Sequence, residues 1–275
     1  MSTNQMPRLG AAVTFQGFET LRDWIFEHDR AIEIQDFASP ETLAGDTAPL
    51  IEKYNRALDG FSGDIGIHGP FLGFDIATHD AEIRGIVKKR LLQGLEVAEA
   101  LHATHMVVHS PFNKWFTQNF LNFETIRAQL FADAIDALSP AVKRAEEIGC
   151  TMVLENIQDI VPADRRELAE AINSPRFKLS VDTGHANLEH GSNGAPPVDY
   201  FIKDAGNMLG HVHLQDTDGY ADRHWIPGEG TINWTSVFDA IAALETTPRL
   251  IIEVRRNLHR LPGAVAAFEA QELAC

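Results

Sequence analysis

The sequence predicts an α/β protein, a closed (β/α)₈ barrel forming a single domain over residues 1–275. Three observations predict it. Short apolar runs rich in β-branched residues alternate with longer amphipathic runs along the whole chain. The strand-like runs are continuously apolar rather than alternating, as parallel strands covered on both faces are. Eight strand–helix units fit 275 residues, close to the roughly 250 typical of a TIM barrel. The rival is a doubly wound open sheet, which usually carries a glycine-rich first βα turn. Residues 10–14 (GAAVT) form no such motif.

Taken in order, residues 9–14 read as the first strand and 18–28 as its helix. Residues 31–36 (AIEIQD) are the second strand, followed by a helix over 49–58. Residues 64–68 are the third strand, and 81–102 form a long helix with apolar residues at three- and four-residue spacing. Residues 105–109 (HMVVH) are the fourth strand, with a helix from about 123 to 148 that Gly149 ends as a C-cap. Strand five is 151–156 with a helix over 163–172, and strand six is 177–182 with a helix near 198–208. Residues 191–197 (GSNGAPP) read as a flexible loop. Strand seven is 211–214 with a helix over 234–244, and strand eight is 250–254 with a last helix over 263–273.

Composition narrows the function classes. Apolar residues make up 44% and charged residues 23%, globular values that exclude a disordered or fibrous chain. No apolar run is long enough to span a bilayer. Residues 1–10 show no secretory signal. Cys150 and Cys275 match no metal or disulfide spacing, and read as a buried thiol and a tail residue in a reducing, cytoplasmic setting. Against 39 acidic residues stand 23 basic ones, a net charge of −16, with no Lys/Arg stripe. A nucleic-acid partner is therefore not expected.

In a barrel the active site lies at the C-terminal ends of the strands. From the third strand to the eighth these ends are His68, His109, Glu155, Asp182, His213 and Glu253. His185 follows strand six, and Asp222 and His224 follow strand seven. Imidazoles and carboxylates without thiolates suit a hard or borderline divalent cation. Several carboxylates at a dry barrel mouth would be costly without one. Glu155, Asp182, His213 and Glu253 come from successive strands and are expected to converge on one ion. For His68, His109, His185, Asp222 and His224 two readings stand: further metals, or hydrogen bonds to a substrate around one metal. His105, His211 and Glu33 have inward parity but lie deeper or on a strand without other ligands, and read as satisfied polar residues. His28, His79, His102, His190 and His259 read as surface.

The motifs HGPF, VVHSPF, LEN, VDTGH, HVHLQDTDGYADRHWIPGEGTINW and IIEV resemble those of the xylose-isomerase-like superfamily of TIM barrels. That superfamily includes sugar isomerases and epimerases and the type IV apurinic endonucleases. The resemblance runs from Leu9 to about Phe268. It implies a central metal site at Glu155, Asp182, His213 and Glu253, whose two glutamates also move the proton in the ketose-epimerase branch. For the endonuclease branch it implies two further metals, one at His68 and His109, the other at His185, Asp222 and His224. Where the free-ketose epimerases carry an arginine three residues before Pro-Gly, this chain has His224 preceded by Arg223.

The leading expectation is a divalent-metal-dependent isomerase or epimerase of a sugar or similar polyhydroxy carbonyl compound. One ion (Zn, Mn, Mg or Co) is expected, with up to three accommodated. Glu155 and Glu253 are the expected acid–base pair, acting through an enediolate. The alternatives are a multi-metal phosphoesterase or endonuclease-like hydrolase, and a lyase or dehydratase. His68, His109, His185, Arg223, Trp115 and Trp225 are the expected substrate contacts. The aromatics Phe112, Trp115, Phe116, Phe120 and Phe123 after strand four read as a surface that stacks on a sugar face or an aglycone and, at least equally, as lid packing or a homo-oligomer interface.

Overall fold

The computed structural model describes residues 8–123 and 125–274; the start of the chain and the tail cysteine, Cys275, lie outside the described residues. Eight strands close on themselves in the order β1 to β8, every neighbouring pair parallel. They are β1 (Leu9–Val13), β2 (Ile32–Ile34), β3 (Ile65–His68), β4 (His105–His109), β5 (Thr151–Glu155), β6 (Phe177–Asp182), β7 (Leu209–Leu214) and β8 (Arg249–Ile252). The helices are α1 (Phe15–Glu27), α2 (Pro40–Ala44), α3 (Ala48–Ala57), α4 (Ala81–Ala100), α5 (Lys114–Asn119), α6 (Ile126–Ile148), α7 (Pro162–Ile172), α8 (Thr183–Asn193), α9 (Val198–Ala205), α10 (Trp234–Ala242) and α11 (Leu261–Glu269). None of the described helices is long and apolar enough to cross a membrane.

Local chemistry sets the boundaries. Asp80 caps α4, its carboxylate accepting from the amides of Glu82 and Ile83. Thr14 caps α1, so that helix begins earlier than the apolar periodicity suggests. Gly149 ends α6 at φ 73°, a left-handed turn that costs a glycine little. Leu91, Leu95 and Ala98 of α4 and Ala134, Leu138 and Ala141 of α6 are fully buried in the layer between helices and barrel.

The sequence reading is corrected most after β6. Residues 191–193, read there as loop, close the helix α8, which begins directly at the strand end with Asp182 as its N-cap. His185 therefore projects from the first turn of a helix, not from a loop. The short helices α2 and α5 were also absent from the sequence reading.

Inside the barrel the His105 ring packs directly against Gly66. A methyl group there would overlap the His105 ring, so the glycine lets that ring cross the barrel axis. Directly beside it in the strand register stand Glu33 on one side and His105 on the other. This layer lies immediately below the mouth.

Candidate metal centre

Glu155 ends β5, Asp182 ends β6, His213 lies in β7, and Glu253 follows β8. One donor atom from each lies within 4.8 Å of the others. His213 Nδ1 is 2.9 Å from Glu155 Oε1, 3.5 Å from Glu253 Oε2 and 4.0 Å from Asp182 Oδ2. All four residues are buried. Three carboxylates in so dry a place carry a large desolvation cost unless cations offset it. Glu155 Oε2 and Asp182 Oδ2 are buried without any hydrogen-bond partner. Unsatisfied carboxylate oxygens around one imidazole nitrogen are a donor set that fits a divalent ion.

Two further groups flank this one. His68, His109 and Glu155 form one, with both Nε2 atoms 3.7 Å from Glu155 Oε2. His185, Asp222 and His224 form the other, with Asp222 Oδ1 3.5 Å from His185 Nε2 and 3.0 Å from His224 Nε2. Backbone carbonyls orient the imidazoles. The Nδ1–H of His68 donates to Gly69 O, that of His185 to Asn156 O and that of His224 to Glu253 O. A carbonyl only accepts, so in each ring Nε2 is left to face the cluster.

The charges shift accordingly. Burial pushes His109 down to about 3, against the pull of Glu155, so it is a neutral ring. Burial also opposes charge on His185, yet Asp182, Asp222 and Glu155 outweigh it and raise that ring to about 10. His213 is raised well above its ordinary value because Glu33, Glu155 and Glu253 outweigh its burial. Burial lifts Asp182 to about 6, partly countered by His185. Glu155 stays well below the carboxylate range, because His213, His68 and His109 overcome its desolvation. An ion held by these groups would compete with protons for the same atoms.

Several supporting residues escaped the sequence reading. Asn156 pins the Asp182 backbone, accepting from its N–H and donating to its carbonyl. Gln215 donates to both Asp182 Oδ1 and Asp222 Oδ1 and accepts from His224 N, tying the central group to an outer one. A side chain on Gly184 would overlap the Gln215 amide. Glu33, read as a satisfied core residue, accepts a 2.8 Å bond from His213 Nε2. Its partner lies across the barrel, and the only local signal was its inward parity.

The expected substrate contacts divide. His68, His109 and His185 are at the mouth. Arg223 is turned to the surface, held by Asp218 at 2.8 Å and flanked by Trp225 and Tyr220. Trp115 is exposed on α5 and stacks on Phe123. Trp225 is half-buried, its backbone paired with Asp216. A cavity of about 350 Å³ opens beside Glu253, lined by Thr14, Gln35, Ser39, Phe71 and Arg255. A second, of about 180 Å³, opens beside His109 under Phe71 and Phe74. A larger one of about 880 Å³ lies at the opposite end of the barrel, away from these groups.

Comparison with known proteins places this geometry in context. An uncharacterized protein of Methanocaldococcus jannaschii, MJ1311, is 27% identical over 201 residues, covering 70% of this chain and 66% of that protein. A fructoselysine 3-epimerase of Escherichia coli O157:H7 is 33% identical over 99 residues, covering 34% of each chain. The matches thus span only part of both relatives. A crystal structure of a D-tagatose 3-epimerase-like protein superposes with a TM-score of 0.73 at 23% identity, covering 96% of both chains, and shares the fold. The family model described as xylose isomerase-like TIM barrel matches residues 17–272. With that match over nearly the whole barrel, the chain belongs to the xylose isomerase-like TIM barrel family.

Proposed function

We propose that this protein is a divalent-metal-dependent epimerase or isomerase of a ketose or substituted ketose. The observation that carries the reading is the pair Glu155 and Glu253. Both reach the same His213 nitrogen, but they arrive from β5 and from the end of β8. A ligand seated between them meets one carboxylate on each side. The similarity to a fructoselysine 3-epimerase supports a sugar substrate.

A divalent ion bound by Glu155, Asp182, His213 and Glu253 would polarise a carbonyl oxygen and stabilise the negative charge that develops on it. The chain's own residues do the rest. One glutamate removes the proton from the carbon next to the carbonyl, and the other returns a proton to the opposite face. Gln35 holds Glu253 Oε1 at 3.3 Å, fixing that carboxylate at the edge of the 350 Å³ cavity. His109, a neutral ring, offers Nε2 without adding charge. Phe71 stacks on one face of that ring at 4.0 Å.

The test is exchange in heavy water. Metal-loaded protein is incubated with ketoses, ketose phosphates and amine-substituted ketoses, and deuterium at the carbon beside the carbonyl is read by NMR. Incorporation that depends on metal and on Glu155 or Glu253 is expected. A chain that exchanges none of these substrates while hydrolysing phosphodiesters would be a hydrolase instead. That second reading has its own support in the two outer ligand groups, which suit a multi-metal site. It requires more than one tightly held ion per chain, which elemental analysis counts.

A further inference from the structure

Glu33 belongs to no catalytic pair in the reading above, yet it is completely buried and lies directly beneath the metal centre. Its Oε1 accepts from His213 Nε2 at 2.8 Å and from Gln35 Nε2 at 3.1 Å. Its Oε2 lies 3.1 Å from His105 Nε2. His211 Nε2 is also 3.1 Å away but is not aligned to bond, and its Nδ1 is engaged by Ser180 Oγ at 2.8 Å.

The Glu33 carboxylate only accepts, so His105 Nε2 carries the proton in the 3.1 Å bond to Oε2. Arg249 Nη1 lies against the other ring nitrogen, His105 Nδ1. Arg249 is itself anchored by Asp64 at 3.1 Å and Thr104 at 2.8 Å at the far end of the barrel. Glu33 is thus held in one orientation from below and presents Oε1 upward to His213. Gly66, between Glu33 and His105 in the register, is what lets the His105 ring reach it. Glu33, His211 and His213 also bring ligand-type atoms within 4.8 Å. The 2.8 Å approach of His213 Nε2 to Glu33, however, is that of a direct hydrogen bond.

We infer that Glu33 is a positioning residue for the metal centre: it takes the Nε2 proton of His213 in a hydrogen bond, so that Nδ1, which bonds Glu155 Oε1 at 2.9 Å, is the nitrogen left to exchange its proton for an ion among Glu155, Asp182 and Glu253. A second carboxylate behind a ligating imidazole fixes its tautomer and ring orientation and raises its basicity, and loss of such a partner typically weakens metal binding by about 10- to 100-fold. The inference rests on the reading of this site as a metal centre.

The experiment measures Mn²⁺ and Zn²⁺ affinity by chelator competition in the parent chain, in Glu33→Gln and in Ser180→Ala. Ser180→Ala removes a bond in the same buried layer without touching the Glu33–His213 contact. The expected result is a Glu33→Gln affinity lower by about 10- to 100-fold, with Ser180→Ala within about threefold of the parent. Glu33→Gln binding as tightly as the parent overturns the inference alone. Equal weakening in both variants also overturns it, because the layer would then act only as packing. A parent chain that takes up neither ion removes the metal-centre reading and this inference with it. Should Glu33→Gln not fold, the zinc-loaded parent still decides. Long-range proton–nitrogen NMR is expected to show His213 protonated at Nε2, and protonation at Nδ1 overturns the inference.

Discussion

A glutamine at position 253 keeps the shape of the side chain and an oxygen for an ion, but it cannot accept a proton at neutral pH. General acid–base catalysis contributes about 10²- to 10⁴-fold, so Glu253→Gln should lose turnover by that order even at saturating metal. Recovery to the parent rate with excess metal would make Glu253 a ligand only and leave Glu155 as the base. His185 provides a pH signature of the ion-free chain. Its value in the fold is raised from 6.5 to about 10 by Asp182, Asp222 and Glu155, which outweigh its burial. A raised folded-state value stabilises fully below the unfolded value and is lost as pH rises through the folded one. With chelator present, the stability advantage of the parent over His185→Gln should therefore be largest below about pH 6.5 and shrink toward pH 10. Denaturant unfolding across that range checks it, and an advantage that grows with pH would contradict it. At this scale the placement of the mouth residues was legible, because each lies at or near the C-terminal end of a strand or in the segment that follows it. The Arg223 pairing was not: nothing local shows that Asp218, five residues away, holds its guanidinium.

The loop between β7 and α10 carries Asp222 and His224, and a single buried carboxylate organises it. Asp216 accepts from Thr217 N and Ile232 N on Oδ1, and from Gly228 N and Trp234 Nε1 on Oδ2. Each buried donor left without a partner costs about 1–3 kcal/mol. Asp216→Ala should therefore destabilise the chain by at least about 3 kcal/mol in denaturant unfolding, and weaken metal uptake by freeing Asp222 and His224. A loss below about 1 kcal/mol would show that water replaces these bonds. The helix α8 shows why element boundaries near the site resisted the sequence reading. Its residues include Gly184, Gly191, Ser192 and Asn193, a poor helix composition. The helix forms because Asp182 caps it and because the absent side chain of Gly184 lets Gln215 pack against its first turn. That partner lies just past the next strand, beyond any local window.

Across the whole molecule, the barrel gathers Glu33, Glu155, Asp182 and Glu253 around one axis in a chain already carrying a net charge of −16. An ion that binds only the folded state stabilises it by mass action, about 2.7 kcal/mol at a hundred times its dissociation constant. Stripping the protein with chelator should lower its unfolding midpoint by several degrees, and returning Mn²⁺ or Zn²⁺ should restore it; an unchanged midpoint would argue against a metal centre. The eight-fold alternation, and the position of His68, His109, Glu155, Asp182, His213 and Glu253 at or next to strand ends, are legible in the amino-acid sequence alone. Both are local properties: apolar periodicity distinguishes strand from helix, and position along a strand says which residues reach the mouth. Which interior side chains meet is set by the closed fold. Glu33 and His213 are 180 residues apart and touch because closure of the barrel brings the interior faces of β2 and β7, separated by β1 and β8, toward one another. Inward parity could mark Glu33 as buried, but its partner is set by the curvature of the closed sheet and by the gap at Gly66, which no stretch of sequence encodes alone.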